Sequence, residues 1–134
     1  MIVVDTNVIC YRWMASPHAH EADAAWRKDP DWIVPIVWRS EFRNALAGAL
    51  RRNFLKLEDA TDIAVQAESQ FVGCEFLPVV SSVLELVSKS NCSAYDCEFV
   101  SLAQQQRVQL VTVDTQVLRD FPDVAISLRD FVAS

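Results

Sequence analysis

Glycine is nearly absent from this chain: Gly48 and Gly73 are the only two among 134 residues. That excludes a G-x-G-x-x-G fingerprint and a P-loop, both of which use glycine to bring backbone amides up to a phosphate. Any handling of phosphate then falls to metal or basic side chains. Histidine is equally scarce, and His18 and His20 share one polar segment that reads as a solvated helix start. No Ser/His/Asp or Cys/His motif forms around it. The four cysteines, Cys10, Cys74, Cys92 and Cys97, contain no C-x-x-C pair and lie far from both histidines, which argues against a zinc site. They sit in or beside apolar runs and read as reduced packing residues. No apolar run approaches the ~20 residues of a membrane span. The opening MIVVDTNVI has neither a basic leader nor a small-residue cleavage site, so the default expectation is a cytoplasmic protein.

What is present is a globular composition, 51% hydrophobic and 22% charged, of a length that fits one domain spanning 1–134. Net charge is −6, which argues against a polyanionic partner. The charge is uneven, however. Arg39, Arg43, Arg51, Arg52 and Lys56 fall within 18 consecutive positions, and Asp114, Asp120, Asp123 and Asp130 crowd the other end. The local basic stretch therefore argues for such a partner where the total argues against it. Arg39 and Arg43 are the candidates for tracking a phosphate backbone, with Arg43 directed to a different side of its helix from Glu41. Arg51 and Arg52 read at least as well as a solvated helix face. Trp13, Trp26, Trp32 and Trp38 read as core or interface aromatics rather than base-stacking platforms.

Short apolar runs alternate with helix-compatible segments. Ile2 to Val4 is a β-branched strand of the kind buried on both faces. Helical sequence follows Asp5, and a second helix is expected over His18 to Lys28. Trp32 to Pro35 reads as a strand, Val37 to Asn53 as a long helix with Phe42, Leu46, Ala49 and Leu50 on its buried side, and Glu58 to Gln70 as another helix. Cys74 to Val80 is strand-like until Pro78 breaks the pattern. The next helix opens with a Ser82/Glu85 capping-box pattern. Ser93 to Arg107 is the clearest helix. Gln109 to Val113 and Val124 to Ile126 are strand-like, with a helical turn over Thr115 to Asp120 between them. The expected fold is α/β, a central, mostly parallel sheet with helices on both faces. Ligands bind such sheets beyond the carboxyl ends of the strands, where Asp5 and Asp114 fall.

Four acids stand out: Asp5 in IVVDTN, Glu41 in WRSEFRNAL, Asp96 in SAYDCEFVSLA and Asp114 in LVTVDTQVL. Each has a plain alternative role. Asp5 and Asp114 can cap the helices that follow them, Ser93-x-x-Asp96 has the form of a capping box, and Glu41 can offset a helix dipole. Together the four blocks resemble the PIN-domain nucleases, and within them the VapC-type toxins of toxin–antitoxin pairs. The likeness runs over nearly the whole chain. It comprises a strand ending in Asp-Thr-Asn, a Ser-Glu in a long helix, a Tyr-Asp opening another, and a strand ending in Thr-x-Asp.

The resemblance implies a three-layer PIN-like fold in which Asp5, Glu41, Asp96 and Asp114 hold Mg²⁺ or Mn²⁺, some through water, with Asn7 and Thr112 as supporting residues. Many relatives carry a further acid two positions beyond the fourth; here Gln116 stands there, so one ion is expected and a second is in doubt. The activity implied is cleavage of RNA, with an antitoxin that inserts near the acidic cleft and a homodimer as the assembled form. Converging carboxylates repel, and a hard divalent cation relieves the conflict. The stripe of Ala45, Gly48 and Ala49 suits close helix packing. Two alternatives stay open. One is a PIN-fold RNA-binding module without catalysis. The other is an aspartyl-phosphate phosphatase, which needs a second Asp where Asn7 stands and so lacks its general acid.

Overall fold

Three consecutive residues, Ile2–Val4, are fully shielded from solvent and form strand β1. In the computed structural model, which describes Met1–Ser134, this strand is the centre of a five-stranded sheet. The chain continues through α1 (Thr6–Trp13), α2 (Ala19–Lys28), β2 (Trp32–Pro35), α3 (Trp38–Arg51), α4 (Leu57–Gln70) and β3 (Glu75–Phe76). It then passes through α5 (Val80–Ser88), α6 (Ala94–Gln106), β4 (Leu110–Thr112), α7 (Thr115–Asp120), β5 (Ala125–Ser127) and α8 (Leu128–Ala133). The strand order is β3-β2-β1-β4-β5 and every pairing is parallel. The sheet is thus wholly parallel, which explains the uninterrupted burial of β1, β2 and β4.

Topology decides where a site belongs. From β1 the chain winds outward through β2 to β3, then crosses back to β4 on the other side of β1. Right-handed crossovers put the helices of the two windings on opposite faces. On one face α6 packs over β1, β2 and β4; on the other α1 and α8 pack against β4, and α1 holds α2 and α3. The winding reverses between β1 and β4, whose register pairs Val3 with Leu110 and Val4 with Val111. A crevice opens at the carboxyl ends of strands at such a reversal. The next residues along are Asp5 after β1, and Val113 and Asp114 after β4. A cluster of 29 buried residues fills the space between sheet and helices, including Trp32, Trp38, Phe42 and Phe99. Trp13 and Trp26 are half-buried against it.

Several details depart from the sequence reading. The strand expected over Cys74 to Val80 is only two residues long. It is an edge strand paired to β2 alone, and Pro78 cannot donate to a ladder. Gly73, in the turn before it, has φ +79°, the one place where glycine's freedom is needed. The Ser82/Glu85 capping box does not form. Helix α5 already starts at Val80 with Val79 as its cap residue and no side-chain cap bond, so Ser82 lies inside the first turn. Burial of Val83 and Leu86 sets the phase of this helix. The last helix, α8, had no sequence signal strong enough to expect it; Ser127 caps it through Asp130 N–H and Leu128 and Phe131 are buried. On α3, Trp38 joins Phe42, Leu46 and Ala49 on the buried side. Within the small-residue stripe Ala49 is buried, while the nearest atoms to a Cβ at Gly48 belong to Arg52, the residue that ends α3.

Candidate active site

Asp5 ends β1 and caps α1. Its backbone N–H donates to Val111 of β4, which locks the strand end in place, and the residue is only 8% exposed. One carboxylate oxygen accepts the Thr6 amide at 2.8 Å and the other accepts the Thr112 hydroxyl at 2.6 Å. Thr112 closes a relay across the two strand ends, since its Oγ1 also accepts the Asp114 amide at 3.0 Å. Two residues on, Asp114 accepts the Val117 amide at 2.9 Å and caps α7.

Glu41 comes from the first turn of α3 and reaches α1, where the Thr6 hydroxyl donates to it at 2.7 Å. Asp96 comes from the first turn of α6, with both bonds of the capping box made: its amide donates to Ser93 Oγ, and its carboxylate accepts the Ser93 amide. The capping alternatives foreseen for Asp5, Asp96 and Asp114 are therefore all realised as hydrogen bonds. Capping does not require what else surrounds Asp5. Burial, opposed by the Thr112 hydrogen bond and reinforced by the charges of Glu41 and Asp96, pushes its pKa up to about 7. Burial likewise raises Glu41, opposed by the Thr6 hydroxyl and reinforced by Asp96 and Glu98. None of these acids has a salt-bridge partner in the chain.

The coupled set is thus Asp5, Glu41 and Asp96, with Glu98 beside Glu41. Asp114 joins through the Thr112 relay. No three His, Cys, Asp or Glu side chains stand close enough to form a closed metal cage. Each carboxylate instead accepts from a protein donor. Two features nonetheless fit a hard cation. The donor set is entirely oxygen, and Asn7 Oδ1 is buried without any hydrogen-bond partner. An orphaned carbonyl oxygen of this kind calls for an explanation, and a cation or bound water supplies one.

The other candidates are placed elsewhere. Arg39 forms a fork on Glu75 of β3, with Nε and Nη2 at 2.6 and 2.7 Å. Arg43 reaches α4 and pairs with Glu68 at 2.6 Å. Gln116 lies on α7, accepting from Arg119 at 3.5 Å. Two residues of the site gave no separate signal in the sequence. Thr6, the middle residue of Asp-Thr-Asn, joins Glu41 to α1; Glu98, two positions after Asp96, adds to the charge around Glu41. Cys10 also borders the cluster, and burial with the charges of Glu41 and Asp5 pushes its thiol up to about 12. It is no thiolate nucleophile.

The sequence model of the PIN domain matches residues 2–125, a span that runs from β1 to β5. The chain belongs to the PIN-domain family. Ribonuclease VapC3 of Pyrobaculum aerophilum is 23% identical over 124 residues, covering 90% of this chain and 95% of that protein. The same fold appears in solved structures. That of PAE2754 from Pyrobaculum aerophilum superposes with a TM-score of 0.78 at 20% identity, covering 98% of this chain and 93% of its own. That of FitAcB from Neisseria gonorrhoeae gives 0.73 at 19% identity, covering 96% and 99%. A toxin–antitoxin complex from Klebsiella pneumoniae gives 0.63 at 15% identity, covering 96% and 98%. These likenesses bear out the three-layer α/β architecture expected of a PIN domain.

Proposed function

We propose that this PIN domain is a divalent-metal-dependent endoribonuclease, hydrolysing RNA phosphodiester bonds in the crevice of Asp5, Glu41, Asp96 and Asp114, and that it is the toxin of a toxin–antitoxin pair. One observation carries the reading. A carboxyl group sits almost fully buried at the topological reversal, coupled to two further acids and left without a cationic partner. Burying charge in that way is costly unless something of opposite sign binds there. The relative named as a ribonuclease and the toxin–antitoxin complex of the same fold support the direction of the proposal.

Asp5, Glu41 and Asp96 would hold one Mg²⁺ or Mn²⁺, with Asp114 and Asn7 alongside. When bound, such an ion lowers the pKa of a water and neutralises charge on phosphate oxygens. The chain's own residues prepare the place. Thr112 and Thr6 fix the rotamers of Asp5 and Glu41 through their hydroxyls, so these carboxylates need little reorganisation to act together. The hydrogen bonds from Thr112 and Thr6 favour the ionised form against the burial that opposes it. The first turn of α6 brings Asp96 in with a helix dipole that tolerates its charge. No histidine or activated thiol takes part, so proton transfer runs through solvent and the carboxylates.

A second reading, an RNA-binding PIN fold that does not cut, is favoured by Asp96 and Asp114 being engaged with their own helix amides. One assay separates the two. Purified protein is incubated with a mixed RNA pool and Mg²⁺, Mn²⁺ or EDTA, with Asp5→Asn and Asp96→Asn as controls. Cleavage that needs metal and is lost in both variants is expected. Cleavage that survives EDTA or both substitutions sinks the metal reading, and metal-independent binding without cleavage favours the second one. Co-purification with the product of a small neighbouring reading frame tests the antitoxin, and sedimentation tests the homodimer.

A further inference from the structure

An open cleft of about 400 Å³ adjoins the acids, lined by Val37, Ser40, Glu41, Asn44 and Tyr95. Its volume lies within the ~300–1,000 Å³ of small-ligand sites. Four of the five residues follow one another at i, i+3, i+4 and i+7, so they form a single stripe at the start of α3. The fifth immediately precedes Asp96 on α6. Glu41 belongs to both the cleft and the acid cluster, which makes the two continuous.

The chemistry of this stripe differs from that of the crevice floor. Tyr95 is 61% exposed, whereas Trp38 and Phe42 on the neighbouring helix are buried. No side-chain hydrogen bond within the chain uses Ser40, Asn44 or Tyr95, while Glu41 and Asp96 are engaged by Thr6 and Ser93. A free flat ring, a small apolar wall at Val37, and an amide and hydroxyl with unused donors and acceptors are the groups that read an unstacked base. No lysine or arginine lines the cleft, so it is not built to grip the phosphate backbone. A duplex cannot present an unstacked base there.

We infer that this cleft is a subsite for one unpaired nucleobase beside the phosphodiester held at the acids, with Tyr95 as the stacking surface and Asn44 and Ser40 reading the base edge. The placement of the phosphodiester rests on the nuclease reading; binding of the base does not.

The test is fluorescence anisotropy on the full chain with Ca²⁺, using short labelled single-stranded RNA either intact or abasic throughout. Wild-type protein is expected to bind the intact strand about tenfold more tightly, the scale of one aromatic–base stack. Tyr95→Ala should lose that preference and Tyr95→Phe should keep it, with thermal melts showing both variants folded. Asn44→Ala should change the ranking among oligo-A, oligo-C and oligo-U. The inference is overturned if wild-type protein shows no preference for bases, if it binds neither strand, or if Tyr95→Ala keeps the preference. A Tyr95 surface that instead captures only a peptide partner overturns it as well. Base preference that depends on Tyr95 without any metal-dependent cleavage would sink the nuclease reading and leave the subsite standing. Cleavage with a preference indifferent to Tyr95 would do the reverse.

Discussion

Asp5 carries opposed demands on one side chain. Its pKa is pushed up to about 7, chiefly by burial, against ~3.9 in an unfolded chain. Between those values the folded state binds a proton that the unfolded state does not, so stability falls as pH rises from about 4 to 7 and is level above. An asparagine does not titrate. In EDTA, Asp5→Asn should therefore melt higher than wild type at pH 8, by up to roughly 4 kcal/mol at ~1.36 kcal/mol per pKa unit. The gain should shrink to little near pH 4; a gain that grows toward acid would contradict the buried-carboxyl account. Thr112 acts on the same group with the opposite sign. Its hydroxyl favours the charged form, so Thr112→Val should raise the Asp5 pKa further and move the acid limb of the pH–rate profile upward. Metal affinity or activity should also fall by about 10–100-fold, the usual effect of losing a group that orients a ligand. An unchanged acid limb would show that Thr112 serves only the strand end. The sequence made Asp5 legible because a strand must end somewhere, and apolar residues before an acid mark the place. Thr6 was not legible as a site residue: a threonine at a helix start is ordinary, and only the fold reveals that Glu41, 35 positions away, lies against it.

Among the elements, α3 shows how a distant residue sets the site. Glu75, on the edge strand, accepts the Trp38 indole N–H at 2.6 Å and the Arg39 fork. Arg39 accordingly holds the Glu75 carboxyl below the usual range. These contacts clamp the first turn of α3 three residues before Glu41, with Trp38 packed on Phe42 and Phe71. Glu75→Ala strands a buried indole N–H and should lower stability by about 1–3 kcal/mol in urea unfolding. Glu75→Gln, which still accepts from the indole, should lose less. Equal losses would show that the charge pair with Arg39 matters more than the indole bond. Arg39 and Arg43 were read as candidates for a phosphate backbone from their charge alone, because a sequence displays charge without its partners; the fold pairs them with Glu75 and Glu68, far along the chain. Elements buried on both faces, such as Ile2–Val4 and Trp32–Pro35, were readable because burial leaves an unbroken apolar run. The edge strand and α8 were less so, since their stability comes from a neighbour on one side and from docking, not from their own pattern.

At the scale of the whole molecule, the charge puzzle and the fold resolve together. A chain of net charge −6 places its most buried acid at the reversal point of a parallel sheet, together with Glu41 and Asp96 from helices on either side. No Lys or Arg side chain pairs with them, and on the metal-dependent reading proposed above a cation from solution would compensate them. Divalent cations should then act on folding as ligands and not merely as screening salt. By mass action, Mg²⁺ at about 100 times its Kd stabilises by ~2.7 kcal/mol, which corresponds to a rise in Tm of roughly 5–15 °C for a domain of this size. NaCl at matched ionic strength should produce only a small part of that, because screening weakens exposed charges far more than buried ones. The effect should be greatest at pH 8, where Asp5 is ionised, and should fade below pH 6 as a proton takes the place of the cation. Asp5→Asn and Asp96→Asn should each flatten it. Differential scanning fluorimetry across Mg²⁺, NaCl and pH measures all of these at once. Identical shifts with NaCl, or a Mg²⁺ response undiminished in both variants, would mean that the acids are only helix caps and that the cation acts elsewhere.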